Sequence, residues 1–176
     1  IQKENNFQEE LAKTRNAQGL LNTELGNYNE ALNYFDKSLK IYQSLSLFSS
    51  RTKILKNKAT LYLRKNDFKK ANKTFNLAYK QAKKFAQTKD QADILLHKSQ
   101  ALSQLNLHNE AISSCKKAIE IGVANKYQWI ITNGYKTLSN IYEEKGNLTK
   151  AIELLTTHNK LLDSFYSINE KRLSAE

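Results

Sequence analysis

The sequence has 176 residues, no proline, five glycines and a formal net charge of +11. A chain with so few residues that interrupt helices is expected to be all-α, and it is long enough for one domain with a substantial core. It has no run of about 18 apolar residues, which excludes a membrane-spanning helix and predicts no membrane contact, and its single cysteine excludes an internal disulfide. Because the sequence contains no methionine, even at its start, we expect it to be a piece of a longer protein.

A seven-residue pattern occurs four times at a constant interval of 40 residues, without insertions. Repetition at a fixed interval predicts a repeat architecture of four units, each of which packs against its neighbour. The four copies are residues 25–31, 65–71, 105–111 and 145–151, and they end on Ala31, Ala71, Ala111 and Ala151.

The pattern has the composition of a tight turn between two helices. Glycine and asparagine most readily adopt the left-handed conformation that ends a helix. One or the other occupies the second position of every copy of the pattern: Gly26, Asn66, Asn106 and Gly146. The next residue, Asn27 in the first copy, can cap a new helix, and Glu30 stands three residues on at capping-box spacing. Small residues twelve positions before each alanine would let the two helices approach closely: Gly19, Ala59, Ser99 and Ser139.

Each repeat is therefore predicted to be helix A, a turn and helix B. In the first repeat, helix A covers Leu11–Leu25 and helix B runs from Asn29 to about Leu47. The single domain over 1–176 comprises repeats at about 8–47, 50–86, 90–123 and 127–165, followed by a C-terminal capping or linker helix at about 166–176. Cys115 occupies the core position of Phe35, and Trp129 is expected to pack at the joint before the fourth repeat.

The repeat unit resembles the tetratricopeptide repeat (TPR). It shares a small residue in helix A, a turn with glycine or asparagine, and an alanine that is followed four residues later by an apolar side chain. The period of 40 is similar to that of TPR arrays in sensor regions of bacterial two-component histidine kinases and in TPR-bearing transcription regulators. This resemblance implies a right-handed α-solenoid of four helical hairpins. It also implies a concave groove, lined by the A helices, that binds a protein or an extended peptide.

The resemblance places a set of mostly polar and basic side chains in that groove. Lysine and arginine there would form charge-assisted hydrogen bonds with an acidic peptide. The groove residues by register are Lys13, Asn16, Leu20, Lys53, Lys56, Asn57, Thr60, Arg64, His97, Gln100, Gln104, Asn133, Lys136, Thr137 and Asn140.

The positive charge is concentrated in the second repeat. Residues 51–89 contain thirteen lysines or arginines and one acid, Asp67. Such a region favours an acidic partner, and nucleic acid is the alternative to a peptide. The aromatic residues of this repeat fit core or turn positions, which disfavours stacking on bases and makes nucleic acid the second hypothesis.

The sequence contains no phosphate-binding loop, nucleophile elbow or convergent acid pair, so we predict a non-catalytic chain without a cofactor. His97, His108 and His158 are far apart in the sequence, and no metal site is expected. The chain is interpreted as a sensory or scaffolding module of a bacterial signalling protein such as a histidine kinase. A sensory region would lie in the periplasm, and the chain would otherwise be cytoplasmic.

Overall fold

The computed structural model describes the backbone of residues 2–173 and the side chains of residues 2–167. Over this range the chain forms eight α-helices and no strand, which confirms the predicted all-α helical-repeat fold class. None of these helices is both long enough and apolar enough to cross a membrane. The helices are α1 (Gln2–Glu24), α2 (Tyr28–Ser44), α3 (Phe48–Arg64), α4 (Phe68–Lys84), α5 (Thr88–Gln104), α6 (His108–Ala124), α7 (Gln128–Glu144) and α8 (Leu148–Leu173).

The turns inside the repeats have the predicted left-handed residue. Gly26 and Gly146 have φ angles of 79° and 83°, and Asn66 and Asn106 have 59° and 60°. Around Gly26 the amide of Asn27 donates to the carbonyl of Asn22 at 2.8 Å, and the amide of Gly26 donates to the carbonyl of Thr23 at 3.3 Å. This pair of hydrogen bonds defines a Schellman motif. The four turns therefore end their helices by the mechanism that the sequence predicts.

Capping differs among the turns. The side chain of Asp67 accepts a hydrogen bond from the Lys70 amide at 3.2 Å, and Asn147 accepts one from the Lys150 amide at 3.1 Å. Asn27 makes no such bond, so the predicted capping box with Glu30 is wrong. The side-chain amide of Asn27 instead donates to the side chain of Asn22, across the turn, at 3.3 Å.

The joints between repeats have the same geometry as the turns within them. Ser46, Ala86 and Lys126 take positive φ angles of 56°, 51° and 57°. Helices α2 to α7 each have 17 residues and every connection has three, so a connection recurs every 20 residues, and one turn plus one joint account for the 40-residue period. The predicted end of the first helix B, Leu47, is therefore too late, because Ser46 already turns the chain. Helix α1 begins at Gln2 instead of Leu11, and the nine additional residues are exposed or partly exposed.

The described residues divide into two compact units, the first up to Ile94 and the second from Leu95. In the first unit α1 packs on α2, α2 on α3 and α3 on α4. The core around Phe35 requires the small residue of helix A, since a Cβ on Gly19 would lie 2.6 Å from Cε1 of the Phe35 ring. The buried apolar residues of this core are Ala12, Ala31, Phe35, Tyr42, Ile54 and Leu61.

In the second unit α6 packs on α7 and α7 on α8. Cys115 is buried here, as predicted, and its thiol donates to the carbonyl of Gly134 at 3.3 Å. Burial raises the pKa of Cys115 to about 12. Ser139 donates to the carbonyl of Ala151 at 2.7 Å, so a small polar residue joins α7 to α8 where the two helices pack closely.

The C-terminal segment differs from the prediction. The sequence assigns about 166–176 to a separate helix, whereas α8 runs without interruption to Leu173, because no glycine or proline follows Leu162 to end it. Residues 174–176 lie outside the described part of the chain. The single domain over 1–176, its repeat boundaries and the right-handed superhelix stay predictions.

Candidate functional site

The predicted groove positions of the first unit are linked by hydrogen bonds between consecutive A helices. The side-chain amide of Asn57 on α3 donates to Oδ1 of Asn16 on α1 at 2.8 Å. Arg64 donates to Oε2 of Glu24 at 2.7 Å, and the two residues are one repeat period apart in the sequence. The structure therefore joins side chains of α1 and α3 that lie at, or one residue from, the same repeat position.

The charge of this surface differs from the prediction. Lys56 forms a partly buried ion pair with Asp93 near the start of α5, and Lys13 pairs with Glu9 and Glu10 on its own helix. Burial raises the pKa of the nearby Asp90, an effect that Lys56 opposes. With Arg64 paired to Glu24 as well, the surface has mixed charge instead of the basic character that the sequence predicts.

The remaining predicted residues of the first unit show different degrees of exposure. Lys53 is exposed, and Thr60 is half-buried with its hydroxyl donating to the carbonyl of Lys56 at 3.1 Å. Leu20 is exposed one turn from Asn16. Lys53 is therefore one exposed cation of this surface that an external partner can reach.

In the second unit, Trp129 at the start of α7 is 55% exposed and stacks on His97 of α5, with ring centroids 6.3 Å apart. The prediction that Trp129 packs at the joint between repeats is thus wrong. At the other end of the same helices Gln104 donates to Glu144 at 2.8 Å, and Ser103 donates to the other carboxylate oxygen. This surface has an exposed aromatic side chain at one end and a hydrogen-bonded carboxylate at the other.

The other predicted residues of the second unit lie on the same two helices. Asn133 donates to the carbonyl of Trp129 at 2.9 Å, which satisfies its amide within α7. Gln100 is half-buried, Lys136 and Asn140 are exposed, and Thr137 is buried and so removed from any ligand.

Residues that sequence reasoning missed fall into two kinds. Glu24 and Glu144 occupy the repeat position of Arg64 and Gln104, so the 40-residue register could have identified them. Asp93 likewise occupies the position of Lys53. The register could not have identified Trp129 as a site residue, because the equivalent positions contain Ser49 and Lys89.

Much of the positive charge of the second repeat lies on its helix B, where the groove prediction did not place it. Helix α4 contains six lysines and no acidic residue. One of them, Lys70, pairs with Asp67 at 2.8 Å. Leu77 is exposed on the same helix, and at the helix end Phe85 stacks on Phe48 with centroids 4.7 Å apart. We call the exposed side chains Lys69, Lys73, Lys80, Lys83 and Lys84 the α4 lysine face.

Within the described residues no group of three or more histidine, cysteine or acidic side chains is placed to hold a metal ion. The helical hairpins and their linked A helices define an all-α helical-repeat protein. Models of the tetratricopeptide repeat match residues 10–84 and 92–121. The chain belongs to the tetratricopeptide repeat family.

Solved structures support the same fold. Aspartyl phosphate phosphatase F from Bacillus subtilis has a TM-score of 0.81 at 16% identity, over 89% of this chain and 41% of that chain. A Rap protein complexed with Competence and Sporulation Factor has a TM-score of 0.78 at 19% identity, over 87% and 43%. A signal transduction ATPase with a tetratricopeptide repeat sensor, from Pyrococcus horikoshii, has a TM-score of 0.77 at 17% identity, over 94% and 25%.

The chain thus spans less than half of each of these three proteins. No curated protein sequence matches it significantly.

Proposed function

We propose that this chain is a non-catalytic module that binds a protein or peptide through the exposed positions of its A helices. The observation that carries the proposal is the exposed Trp129 ring stacked on His97. Tryptophan is enriched among the residues that dominate binding energy, since it contributes a large rigid surface at a small cost in conformational entropy. Stacking on His97 restricts the ring further and so favours binding of an apolar side chain of the partner.

Polar groups around the aromatic pair define the rest of the partner. Lys136 and Asn140 are exposed along α7, where they can bind carboxylates and backbone groups of an extended segment. The preferred ligand is therefore a peptide segment with one apolar or aromatic side chain and acidic or polar neighbours. In the first unit, Lys53 supports the same preference for an acidic segment.

We also propose that the module belongs to the sensory or scaffolding part of a bacterial signalling protein, of which a histidine kinase is one example. Two structural relatives support this setting: one is complexed with Competence and Sporulation Factor, and the other has a tetratricopeptide repeat sensor within a signal transduction ATPase. The setting is tested by the open reading frame that contains this chain, which should encode a signalling domain. A reading frame without one would contradict the setting and leave the binding proposal to its own test.

Replacing Trp129 by alanine is expected to weaken peptide binding by about 2 kcal/mol or more, roughly 30-fold in Kd, because the main apolar contact is removed. Suitable probes are peptides selected on the whole chain from a random display library, with affinities measured by fluorescence anisotropy. Trp129 is the only tryptophan, so its emission in the wild-type protein should also shift when the peptide binds.

Phe7→Ala is the matched control, because Phe7 is a similarly exposed aromatic residue on α1 that lies outside the predicted groove. It should leave the affinity unchanged, and circular dichroism should show that both variants are folded. Selected peptides that bind Trp129→Ala as well as the wild type would refute the proposed site. Lys53→Glu should weaken acidic peptides selectively, and it disturbs none of the ion pairs of Lys56 or Arg64.

Nucleic acid binding is a second candidate because of the α4 lysine face. Five exposed lysines on a helix without an acidic residue can contact phosphates, and each contact lowers the slope of log K against log salt by about 0.9 for duplex DNA. The double variant Lys73→Glu/Lys80→Glu should weaken generic duplex DNA binding and make the slope of log K against log salt shallower by about 2.

Its control is Lys37→Glu/Lys40→Glu, the same change in net charge on helix B of the first repeat. Equal losses of DNA affinity in the two double variants would show that binding depends only on the net charge of the protein. Salt-independent binding or none would eliminate this candidate.

A further inference from the structure

Helices α6, α7 and α8 of the second unit border a cleft of about 290 Å³. Helix α7 contributes Tyr135, Leu138 and Tyr142, which are spaced by three and four residues and so share one face of the helix. Ile119 of α6 and Leu154 of α8 line the cleft on either side, and both are buried, as is Leu138. The volume is close to the lower end of the range of small-molecule pockets, roughly 300–1,000 Å³. The cleft therefore fits one small molecule with an apolar group.

The cleft lies on the side of α7 that is opposite to the proposed peptide-binding residues. Lys136 and Asn140 are each two residues from Leu138. Two positions in an α-helix differ by about 200° around its axis, so these side chains lie on the other side of the helix. The cleft and the proposed peptide site can therefore be occupied, and tested, independently of each other.

The central side chain of the cleft, Leu138, distinguishes the fourth repeat from the others. The equivalent residues of the other repeats are Gln18, Lys58 and Lys98. In the first unit Lys58 of α3 pairs with Asp36 of α2 at 2.6 Å, and its side chain thus crosses between the two helices. In the second unit Leu138 stands in place of Lys58 and Lys116 in place of Asp36, so this ion pair cannot form. A cation borders an apolar surface instead.

The polar groups of the cleft complement an anion. Lys116 of α6 and the half-buried Lys150 of α8 line it. Lys150 also pairs with Glu153 of its own helix at 2.8 Å, but an ammonium group has three donors and can bind a second acceptor. The hydroxyl of Tyr142 can donate a further hydrogen bond. The acidic Glu120 also lines the cleft, one turn from Lys116 toward the joint with α7, so an anion is favoured at the end away from this joint.

A helix that followed α8 would leave the cleft open. The equivalents of Lys150 and Leu154 on α2 are Glu30 and Tyr34. Helix α3 follows α2 and packs on it, and yet Glu30 is exposed and Tyr34 is only half-buried. In this fold a following helix therefore covers a different part of helix B.

We propose that the cleft between α6, α7 and α8 is a binding site for a small aromatic carboxylate. The two tyrosines that flank Leu138 favour an aromatic group, because aromatic rings pack favourably against each other. The carboxylate pairs with Lys116 and Lys150 through charge-assisted hydrogen bonds.

The probe for the test is 3-phenylpropionate, which has one aromatic ring and one carboxylate. Titrated into the whole chain, it should shift the NMR methyl signals of Leu138 and Leu154 along one saturation curve. The neutral analogue 3-phenylpropionamide should bind about tenfold more weakly or worse, because it lacks the charge. If these methyl signals show no saturable shift, the site is refuted, and equal affinities of the two compounds would refute its preference for an anion.

A peptide that ends in phenylalanine has the same ring and a terminal carboxylate. It should bind no more tightly than 3-phenylpropionate if the ligand is a free small molecule. Tighter binding of the peptide would overturn that assignment in favour of a peptide terminus.

Lys116→Glu should weaken the binding of 3-phenylpropionate by about tenfold or more, since a carboxylate replaces one of the two cations. Lys116 is exposed, so the variant should fold as the wild type does. The matched control is Lys160→Glu, the same change in net charge at an exposed position of α8 that does not line the cleft. It should leave the affinity unchanged, and equal losses in the two variants would refute the site.

The double variant Leu138→Lys/Lys116→Asp gives the second unit the ion pair that Lys58 and Asp36 form in the first. We expect it to abolish binding of the probe, because the lysine side chain covers the apolar surface of the cleft. Circular dichroism should show the helical content of the wild type, since the fold already accommodates this pair. Binding as tight as that of the wild type would overturn the proposal, and if the double variant does not fold, Lys116→Glu decides the question alone.

Discussion

Replacing Phe35 by alanine is expected to lower the free energy of unfolding by about 3 to 5 kcal/mol, because a fully buried aromatic ring would leave a cavity that its surroundings cannot fill. The ring packs against Gly19 of α1, whose backbone has no side chain to move into the space. Urea denaturation followed by circular dichroism measures the change as a lower midpoint at similar slope.

Leu155→Ala is the matched control for Phe35→Ala. Leu155 occupies the same repeat position on α8, but it is 43% exposed. Its replacement should cost only about 1 kcal/mol, because folding removes less apolar area of this side chain from water. Equal losses in the two variants would contradict the description of Phe35 as the core residue of a closed repeat.

Replacing Gly19 by leucine is expected to cost about 3 kcal/mol, at the upper end of the range for overpacked cores. A Cβ alone would lie 2.6 Å from the Phe35 ring, and leucine adds three more carbons. The higher helix propensity of leucine offsets at most about 1 kcal/mol. Thermal and urea unfolding of the same variant would measure the loss.

The control for Gly19→Leu is Gly26→Asn. Gly26 has a φ of 79° and open space around its Cα, and asparagines occupy the equivalent turns at Asn66 and Asn106. Stability should therefore change by only about a few tenths of a kcal/mol. If Gly26→Asn proved as damaging as Gly19→Leu, the loss could not be assigned to the close approach of α1 and α2.

The helices and turns could be predicted from the sequence because residue types at nearby positions determine them. Glycine and asparagine at fixed positions mark four turns, and Gly19, Ala59, Ser99 and Ser139 mark close helix contacts. The joints at Ser46, Ala86 and Lys126 were harder to locate, because these residue types do not favour a left-handed backbone. At Ser46 and Lys126 the helices on either side of the joint pack on each other, α2 on α3 and α6 on α7, a tertiary contact that no local pattern shows.

The candidate site was only partly predictable. The A-helix positions follow from the register, and hydrogen bonds such as that from Asn57 to Asn16 link them. The net charge of these positions cannot be predicted from the register, because it depends on which acidic side chains of a neighbouring repeat form ion pairs with the cations, as Asp93 does with Lys56. The exposure of Trp129 likewise depends on how α7 begins beside His97, a tertiary arrangement without a sequence pattern.

The equal spacing of the turns and joints limits how such a chain can change its length. An α-helix turns by about 100° per residue, so inserting one residue within a 17-residue helix would swing every later side chain of that helix out of phase with its neighbours. A duplication or loss of a whole 40-residue hairpin preserves the phase of all the others. Descendants of this gene should therefore differ by entire hairpins far more often than by short insertions inside them.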